Sequence, residues 1–219
     1  MSLRKVLEVA RGELGNTEDP AGSNLTKYGY TYGINGVPWC VIFLWWCFDW
    51  AGERMAFFGG GKTASCSMLL RWYREQGLTV PVEDVQVGDI ALLNFNGKGT
   101  ADHCGLVTKV SGRRIDVGTL EITTIEGNTS SSDGSQSNGG MVCEKTRYPS
   151  QIVAVCRPQY KPEAKDDITG RWSEQAIRRV MKRGLMTGYP DGSFKPTQAV
   201  TREELAAVLD RMMLEDEGK

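Results

Sequence analysis

The segment Val37–Phe48 is apolar almost without interruption, and it constrains the fold more than any other part of the chain. Pro38, near its start, suits the first turn of a helix, and Gly52, just after it, suits the end of one. A helix that is apolar all round has to be buried on every side. At twelve residues the run is too short to span a bilayer. It predicts a central core helix and no membrane insertion.

Helical patterns come first along the chain and strand patterns follow. Apolar residues recur at helical spacing, and residues 16–37 are rich in Gly, Asn, Tyr and Thr, which predicts a long loop. From Val85 onward, short runs of period two predict strands. The predicted helices are Ser2–Leu14, 38–52 and Ser65–Gln76, and the predicted strands are Asp89–Phe95, His103–Val110, Arg113–Val117, Ile122–Gly127, Met141–Arg147 and Ile152–Cys156. Helices followed by strands indicate an α+β domain with an antiparallel sheet.

A second, smaller domain is predicted after this one. We place the first domain at residues 1–157, a linker rich in proline and charge at 158–165, and an all-α module at 166–219. The module contains two helical patterns joined by the turn signal Tyr189–Gly192. Thr201 and Glu204 have the spacing of a capping box at the start of its second helix. A helix-loop-helix of this size is near the lower limit for folding alone.

Composition excludes some partners and locations. The 26 basic and 27 acidic residues give a net charge of -1, so the chain lacks the basic surface that nucleic acid requires. The six cysteines show neither a C-x-x-C pair nor a zinc spacing. We therefore expect reduced cysteines, no metal and no cofactor. The first residues lead into an amphipathic pattern, and we expect cytoplasmic synthesis without a signal peptide.

His103 is the only histidine, so any cysteine–histidine mechanism must use it. Cys40 lies in the first turn of the buried helix, where the helix dipole and free N–H groups favour a thiolate. His103, at the start of a strand, is the candidate base. Glu126 and Asn128 lie two apart at a strand end, so they share one face and could fix the imidazole ring. The mechanism requires the sulfur and the imidazole to meet across an open groove.

Each of these residues also has a purely structural interpretation. A cysteine in an apolar helix usually packs in the core, and a lone histidine is usually structural. Glu-x-Asn before a turn can be no more than strand-end chemistry. We interpret the remaining cysteines as core residues, with Cys104 facing the opposite side of its strand from His103: Cys47, Cys66, Cys104, Cys143 and Cys156.

Residues 1–157 resemble the CHAP family, relatives of the papain-like and NlpC/P60 cysteine hydrolases. The matching segments are Gly22-Ser23-Asn24, Tyr28-Gly29, Gly36–Cys40 with Phe43, Trp46 and Cys47, Val87–Ile90, His103–Val107 and Ile125–Asn128. The resemblance implies a papain-like fold and cleavage of peptidoglycan, as an N-acetylmuramoyl-L-alanine amidase or a peptide-bridge endopeptidase. It implies that Cys40 is the nucleophile, His103 the general base and Glu126 the residue that orients the ring, with Asn128 assisting.

Some members of that family bind calcium through acidic residues shortly before the cysteine. Residues 21–39 contain no Asp or Glu here. Because calcium prefers carboxylate oxygens, we expect no calcium at that place.

Residues 166–213 resemble one S-layer homology (SLH) motif. The matching residues are Asp167-Ile168, Trp172, Ala176-Ile177, Gly184–Met186, Gly188–Phe194, Pro196 and Thr201–Glu204. The resemblance implies binding to peptidoglycan or to a secondary cell-wall polymer, with Arg202 on an anionic glycan group. Trp172 and Tyr189 either join that site or only pack the two helices together. The family usually carries three motifs as a pseudo-trimer, so a single motif predicts a trimer of chains or docking on its own catalytic domain.

The two resemblances together predict a cell-wall lytic enzyme, an endolysin of phage type or a host autolysin. Two other interpretations stay open from the sequence. One is a wall-binding protein whose cysteine domain is inactive, and the other is a thiol acyltransferase on the same scaffold.

Overall fold

The computed structural model describes residues 3–112, 116–131, 134–161, 167–189 and 192–217, and of residues 215–217 only the backbone. The chain divides into two units, Met1–Pro162 and Glu163–Lys219.

The helices of the first unit precede its sheet. They are α1 (Leu3–Gly12), α2 (Lys27–Tyr32), α3 (Cys40–Trp50), α4 (Arg54–Phe58) and α5 (Cys66–Glu75). Helix α3 is buried from its first residue through Phe48, which confirms the central helix that the apolar run predicts.

Helix α2 lies inside the stretch predicted as a long loop. Its local signals are short ones: Thr26 accepts a hydrogen bond from the N–H of Gly29, and Gly33 ends the helix with a left-handed φ of 94°. Six residues are too few to show a helical period in the sequence. The turn nevertheless buries Tyr28 and Tyr32 against the core.

Six antiparallel strands form one sheet, in the spatial order β1-β6-β2-β3-β4-β5. They are β1 (Thr79–Val80), β2 (Ile90–Leu93), β3 (His103–Ser111), β4 (Glu121–Thr129), β5 (Met141–Arg147) and β6 (Ile152–Cys156). This architecture confirms the predicted α+β fold. The strand predicted at Arg113–Val117 is not confirmed: residues 113–115 lie outside the described residues, and Val117–Thr119 forms a 3₁₀ turn.

The two faces of the sheet belong to different apolar clusters. Leu92 and its cross-strand partner Cys104 lie in the large cluster that contains α3, whereas Leu93 lies in a smaller cluster on the other face. Because cross-strand partners point to the same face, His103, the partner of Leu93, starts on the face away from α3.

Glycine at position 127 lets α3 lie directly on β4. A Cβ atom there would come within 2.6 Å of Phe43 and of Trp39. Trp39 is fully buried, stacks on Tyr28 with ring centroids 5.4 Å apart, and donates from Nε1 to Glu18 at 2.9 Å. The start of α3 is therefore fixed against the strand that carries Glu126.

Tyr160 belongs to the first unit, although the sequence places it in the linker. Its hydroxyl donates to the carbonyl of Gly88 at 2.6 Å, and its ring stacks on Phe48 at 5.6 Å. The linker between the two units therefore starts after Tyr160. Residues 162–166 lie outside the described residues.

The second unit contains α6 (Glu174–Lys182) and α7 (Arg202–Glu217). The predicted capping box is present: the N–H of Thr201 donates to Glu204 at 2.8 Å and the N–H of Glu204 donates to Thr201 Oγ1 at 3.1 Å. Of the predicted turn, Gly192 donates to the carbonyl of Tyr189 at 2.8 Å, and residues 190–191 lie outside the described residues. No helix in the described part of the chain has the length and apolar character needed to cross a membrane.

We predict that Gly127→Ala lowers the free energy of unfolding by about 1–3 kcal/mol, because the added methyl overpacks the contact between α3 and β4. Denaturant unfolding measures this. Gly12→Ala is the matched control, since a Cβ at Gly12 meets no atom within 4 Å. Equal stability of the two variants would show that the close approach at Gly127 is not needed.

Candidate active site

The sulfur of Cys40 lies at the first residue of α3 and is enclosed by two other thiols. The Cys40 and Cys66 sulfurs are 3.9 Å apart, and the sulfurs of Cys40, Cys66 and Cys104 all lie within 4.8 Å of one another. The partial positive charge of a helix N-terminus favours a thiolate at this position. Cys40 therefore has the surroundings of an activated nucleophile.

His103 lies at the first residue of β3 and is fully buried. Its Nε2 is 2.9 Å from Oε2 of Glu126. Nε2 is occupied by Glu126, so Nδ1 is the ring nitrogen that remains to interact with Cys40. The hydrogen bond to Cys40 raises the pKa of the imidazole. The structure thus brings together three of the four residues selected from the sequence.

Cys40 and His103 favour opposite charges on each other. Hydrogen bonds from the thiols of Cys104 and Cys66, aided by His103, lower the pKa of Cys40 well below its ordinary value, despite a burial that raises it. Burial lowers the pKa of His103, but its hydrogen bonds to Cys40 and Glu126 and their negative charge raise it to about 9. Both shifts favour a thiolate beside an imidazolium.

Glu126 is held as a carboxylate by two residues that sequence reasoning missed. Arg147 donates to it from Nε at 2.7 Å and from Nη2 at 2.5 Å, and Thr124 donates from Oγ1 at 2.5 Å. Burial raises the pKa of Glu126, but Arg147 and His103 outweigh it and lower the pKa. Strand alternation from Glu126 could have indicated Thr124. Arg147 lies on another strand and has no signal in the sequence.

Asn128 does not take the place that the sequence suggests. Its Nδ2 donates to the carbonyl of Ser137 at 3.5 Å and to Asn138 Oδ1 at 3.4 Å, and its φ is 60°. The register of β4 against β5 shifts between Glu126 and Thr129. Because a bulge breaks the alternation of faces, Glu126 and Asn128 do not share one face, and Asn128 ties β4 to the following loop.

Cys66 and Cys104 are buried core residues, as predicted, and in addition both sulfurs lie beside that of Cys40. Alternation does put Cys104 on the opposite face from His103. That face is the one packed against α3, whose first residue is Cys40. Cys104 therefore lies beside the Cys40 thiol on the face of the sheet that packs against α3. His103 reaches the same thiol from the first position of β3.

The site is closed in this structure. Cys40 exposes 4% of its surface, and His103 and Glu126 expose none. The expectation that the sulfur and the imidazole are open to solvent is therefore not met at these residues. Such closure keeps water from the charged pair and strengthens its mutual attraction.

The three residues selected for glycan binding lie in the second unit. Trp172 is 99% exposed, so it does not pack the helices together. Tyr189 lines a cavity of about 380 Å³ and lies under the ammonium of Lys195, 4.1 Å from its ring centroid. Arg202 is exposed at the first residue of α7. Trp172 and Arg202 are not among the residues that line the cavity.

Comparison with known families identifies a domain in each unit. Residues 32–128 match the sequence model of the CHAP domain, and residues 166–206 match that of the S-layer homology domain. The first match includes Cys40, His103, Glu126 and Asn128.

Individual relatives match short parts of the chain. Outer membrane protein SlpA of Deinococcus radiodurans is 38% identical over 74 residues, which is 34% of this chain and 6% of the relative. Cell surface glycoprotein 1 of Acetivibrio thermocellus is 38% identical over 48 residues, 22% of this chain and 2% of the relative. The chain thus spans a small fraction of their length. The crystal structure of Ly7917 aligns with 72% of this chain and 63% of its own, at 16% identity and a TM-score of 0.40.

We predict that the rate at which Cys40 reacts with iodoacetamide starts to fall at a lower pH than that of an ordinary thiol, because the thiolate is the reactive form and the pKa of Cys40 is lowered. An ordinary thiol loses about tenfold in rate per pH unit below a pKa of about 8.5. Peptide mass mapping locates the label, and Cys40→Ser is the control. A rate that follows an ordinary thiol would contradict the charge pair.

Proposed function

We propose that this chain, which carries a CHAP domain and an S-layer homology domain, is a cell-wall lytic enzyme that hydrolyses an amide bond of peptidoglycan. The observation that carries the proposal is the polarised pair at the head of α3, where the thiol of Cys40 has a lowered pKa and the imidazole of His103 a raised one. Such a pair is what attack on an unactivated amide requires.

In the first step, the thiolate of Cys40 attacks the amide carbonyl carbon, and the carbonyl oxygen becomes an oxyanion. The N–H groups of the first turn of α3 would donate hydrogen bonds to that developing charge. His103 gives the Nδ1 proton to the amide nitrogen as the C–N bond breaks. The amine fragment leaves, and the acyl group stays on Cys40 as a thioester.

In the second step, water attacks the thioester while His103, now neutral, accepts its proton. The thiolate leaves, the acyl fragment departs as a carboxylic acid, and the starting pair is restored. Glu126 keeps the imidazole in one orientation throughout, since Arg147 and Thr124 hold its carboxylate in place. These two are positioning residues, and Glu126 stabilises the imidazolium directly.

The bond that is cut is a finer part of the proposal. An amidase and a peptide-bridge endopeptidase use the same residues, and the shape of the surface that receives the substrate selects between them. Mass spectrometry of the soluble wall fragments distinguishes a freed muramoyl lactyl group from freed peptide ends. An endolysin and an autolysin would use the two domains in the same way.

The second unit would hold the enzyme on the wall. We propose that Arg202, Trp172 and Tyr189 contact an anionic secondary cell-wall polymer or peptidoglycan, with the guanidinium on the anionic group and the rings on sugar faces. The relatives of this chain include a cell surface glycoprotein and an outer membrane protein, which fits association with the cell surface.

Helix α7 leaves an apolar stripe uncovered, and we propose that other copies of the chain cover it. Leu205, Leu209 and Met212 follow one another at helical spacing and expose 48%, 50% and 46% of their surface. A helix with such a stripe is stable when the stripe is buried. Three copies of the one motif would supply the three that the family usually carries in one chain.

For this association we predict a trimer in sedimentation velocity at micromolar concentration and a monomer for Leu209→Glu, because a carboxylate in the apolar interface is costly. Asp210→Glu is the matched control on the same helix and stays trimeric. A strictly monomeric parent protein would refute the association.

One observation favours an alternative, an inactive wall-binding protein: the catalytic pair is closed to solvent.

Wall clearing decides between the lytic enzyme and the inactive wall-binding protein. We predict that the parent protein reduces the turbidity of purified walls and that Cys40→Ala loses at least about 10³-fold of that rate, because the variant lacks the sulfur that forms the acyl intermediate. Cys47→Ala, which removes a thiol two turns along the same helix, keeps most of the rate. Equal clearing by parent and Cys40→Ala would remove Cys40 from the mechanism.

A further inference from the structure

Three thiols from distant parts of the sequence meet at one point of the first unit. Cys40 and Cys66 are each the first residue of a helix, 26 positions apart, and Cys104 lies on β3. Their exposed fractions are 4%, 7% and 0%, and the three sulfurs lie within 4.8 Å of one another. The hydrolytic mechanism uses one of these sulfurs as a nucleophile and the others only as hydrogen-bond donors.

The spacing of the sulfurs suits a metal better than a disulfide. Zinc–sulfur bonds of about 2.3 Å in a tetrahedral site place two sulfurs about 3.8 Å apart, and the observed Cys40–Cys66 separation is 3.9 Å. A disulfide requires about 2.05 Å, so these sulfurs would have to approach by almost half their separation. The metal geometry needs almost no movement of that pair.

The surroundings also favour negative charge at Cys40. The imidazole of His103 interacts with Cys40, and Nε2 of the same ring meets the carboxylate of Glu126. In addition, the N-termini of α3 and α5 both favour negative charge on sulfur.

We propose that Cys40, Cys66 and Cys104 form a binding site for a thiophilic d¹⁰ cation such as Zn²⁺. Binding forms three metal–sulfur bonds, to the Cys40 thiolate and to the sulfurs of Cys66 and Cys104, which each release their thiol proton to solvent. The set M²⁺, one thiolate and two thiols becomes a trithiolate complex of net charge −1 and two protons. The nearby imidazolium balances that charge.

The consequence for activity rests on the proposed function. A cation bound through Cys40 removes the nucleophile, so the protein would be kept inactive until the metal is withdrawn. The sequence showed no zinc spacing because the ligands are not close along the chain, and a metal at this cluster would depart from the expectation of no metal.

The test uses the full chain, reduced with a phosphine so that no disulfide forms, and Cd²⁺ as the probe. Cadmium–thiolate bonds absorb in the ultraviolet in proportion to their number. We expect saturation at one Cd²⁺ per chain with the intensity of three bonds. Cys66→Ser and Cys104→Ser should each lose about a third of that intensity and bind at least 10-fold more weakly. Cys143→Ser, which removes a thiol outside the cluster, should bind as the parent does.

Absent saturation, or binding that Cys66→Ser leaves unchanged, would overturn the inference without affecting the proposed hydrolysis. A second arm measures wall clearing with one equivalent of Zn²⁺ and then with a chelator. Loss of wall clearing with Zn²⁺, and its recovery with the chelator, would support control of the site by metal. Full clearing at saturating Zn²⁺ overturns that control. A protein that binds Cd²⁺ through three sulfurs but clears no wall even when metal-free retains the site and loses the proposed function.

Discussion

A buried carboxylate organises the chemistry of the first unit. Glu126 exposes no surface and is paired with Arg147, which is itself 3% exposed. Removing one partner of such a pair typically costs about 3–5 kcal/mol, because an unpaired charge is left in a medium of low dielectric. The arginine therefore keeps the carboxylate ionised, the carboxylate favours an imidazolium at His103, and the imidazolium favours a thiolate at Cys40. The charge on each group in this series is stabilised by the opposite charge on the group before it.

The packing of α3 decides whether the sulfur of Cys40 lies close enough to His103 to be influenced by these charges. Helix α3 is buried from Cys40 through Phe48, so its position is set by the side chains around it. Gly127, next to Glu126, admits Trp39 and Phe43 against β4, and Trp39 is anchored by Glu18. The absence of a side chain at Gly127 thus lets the first residue of α3 come close to the strands.

The sequence predicted the parts of the site that rest on local patterns. The apolar run marked α3 and placed Cys40 in its first turn, and the single histidine left one choice of base. Strand alternation failed at Asn128, because a bulge follows Glu126. Arg147, Cys66 and Cys104 were missed as site residues because their proximity comes from the register of strands and the docking of α5, which no pattern within one segment records. Closure of the site likewise depends on tertiary packing.

The protonation state of His103 tests the account most directly, and the chain has only this one histidine. A pH titration of the ¹⁵N-labelled imidazole by NMR reports it without overlap from other rings. The account predicts an imidazolium that persists at neutral pH and titrates at about 9, and a lower pKa in Cys40→Ala, where the thiolate is gone. A ring that is neutral at pH 7, or whose pKa does not respond to loss of Cys40, would contradict the thiolate–imidazolium pair.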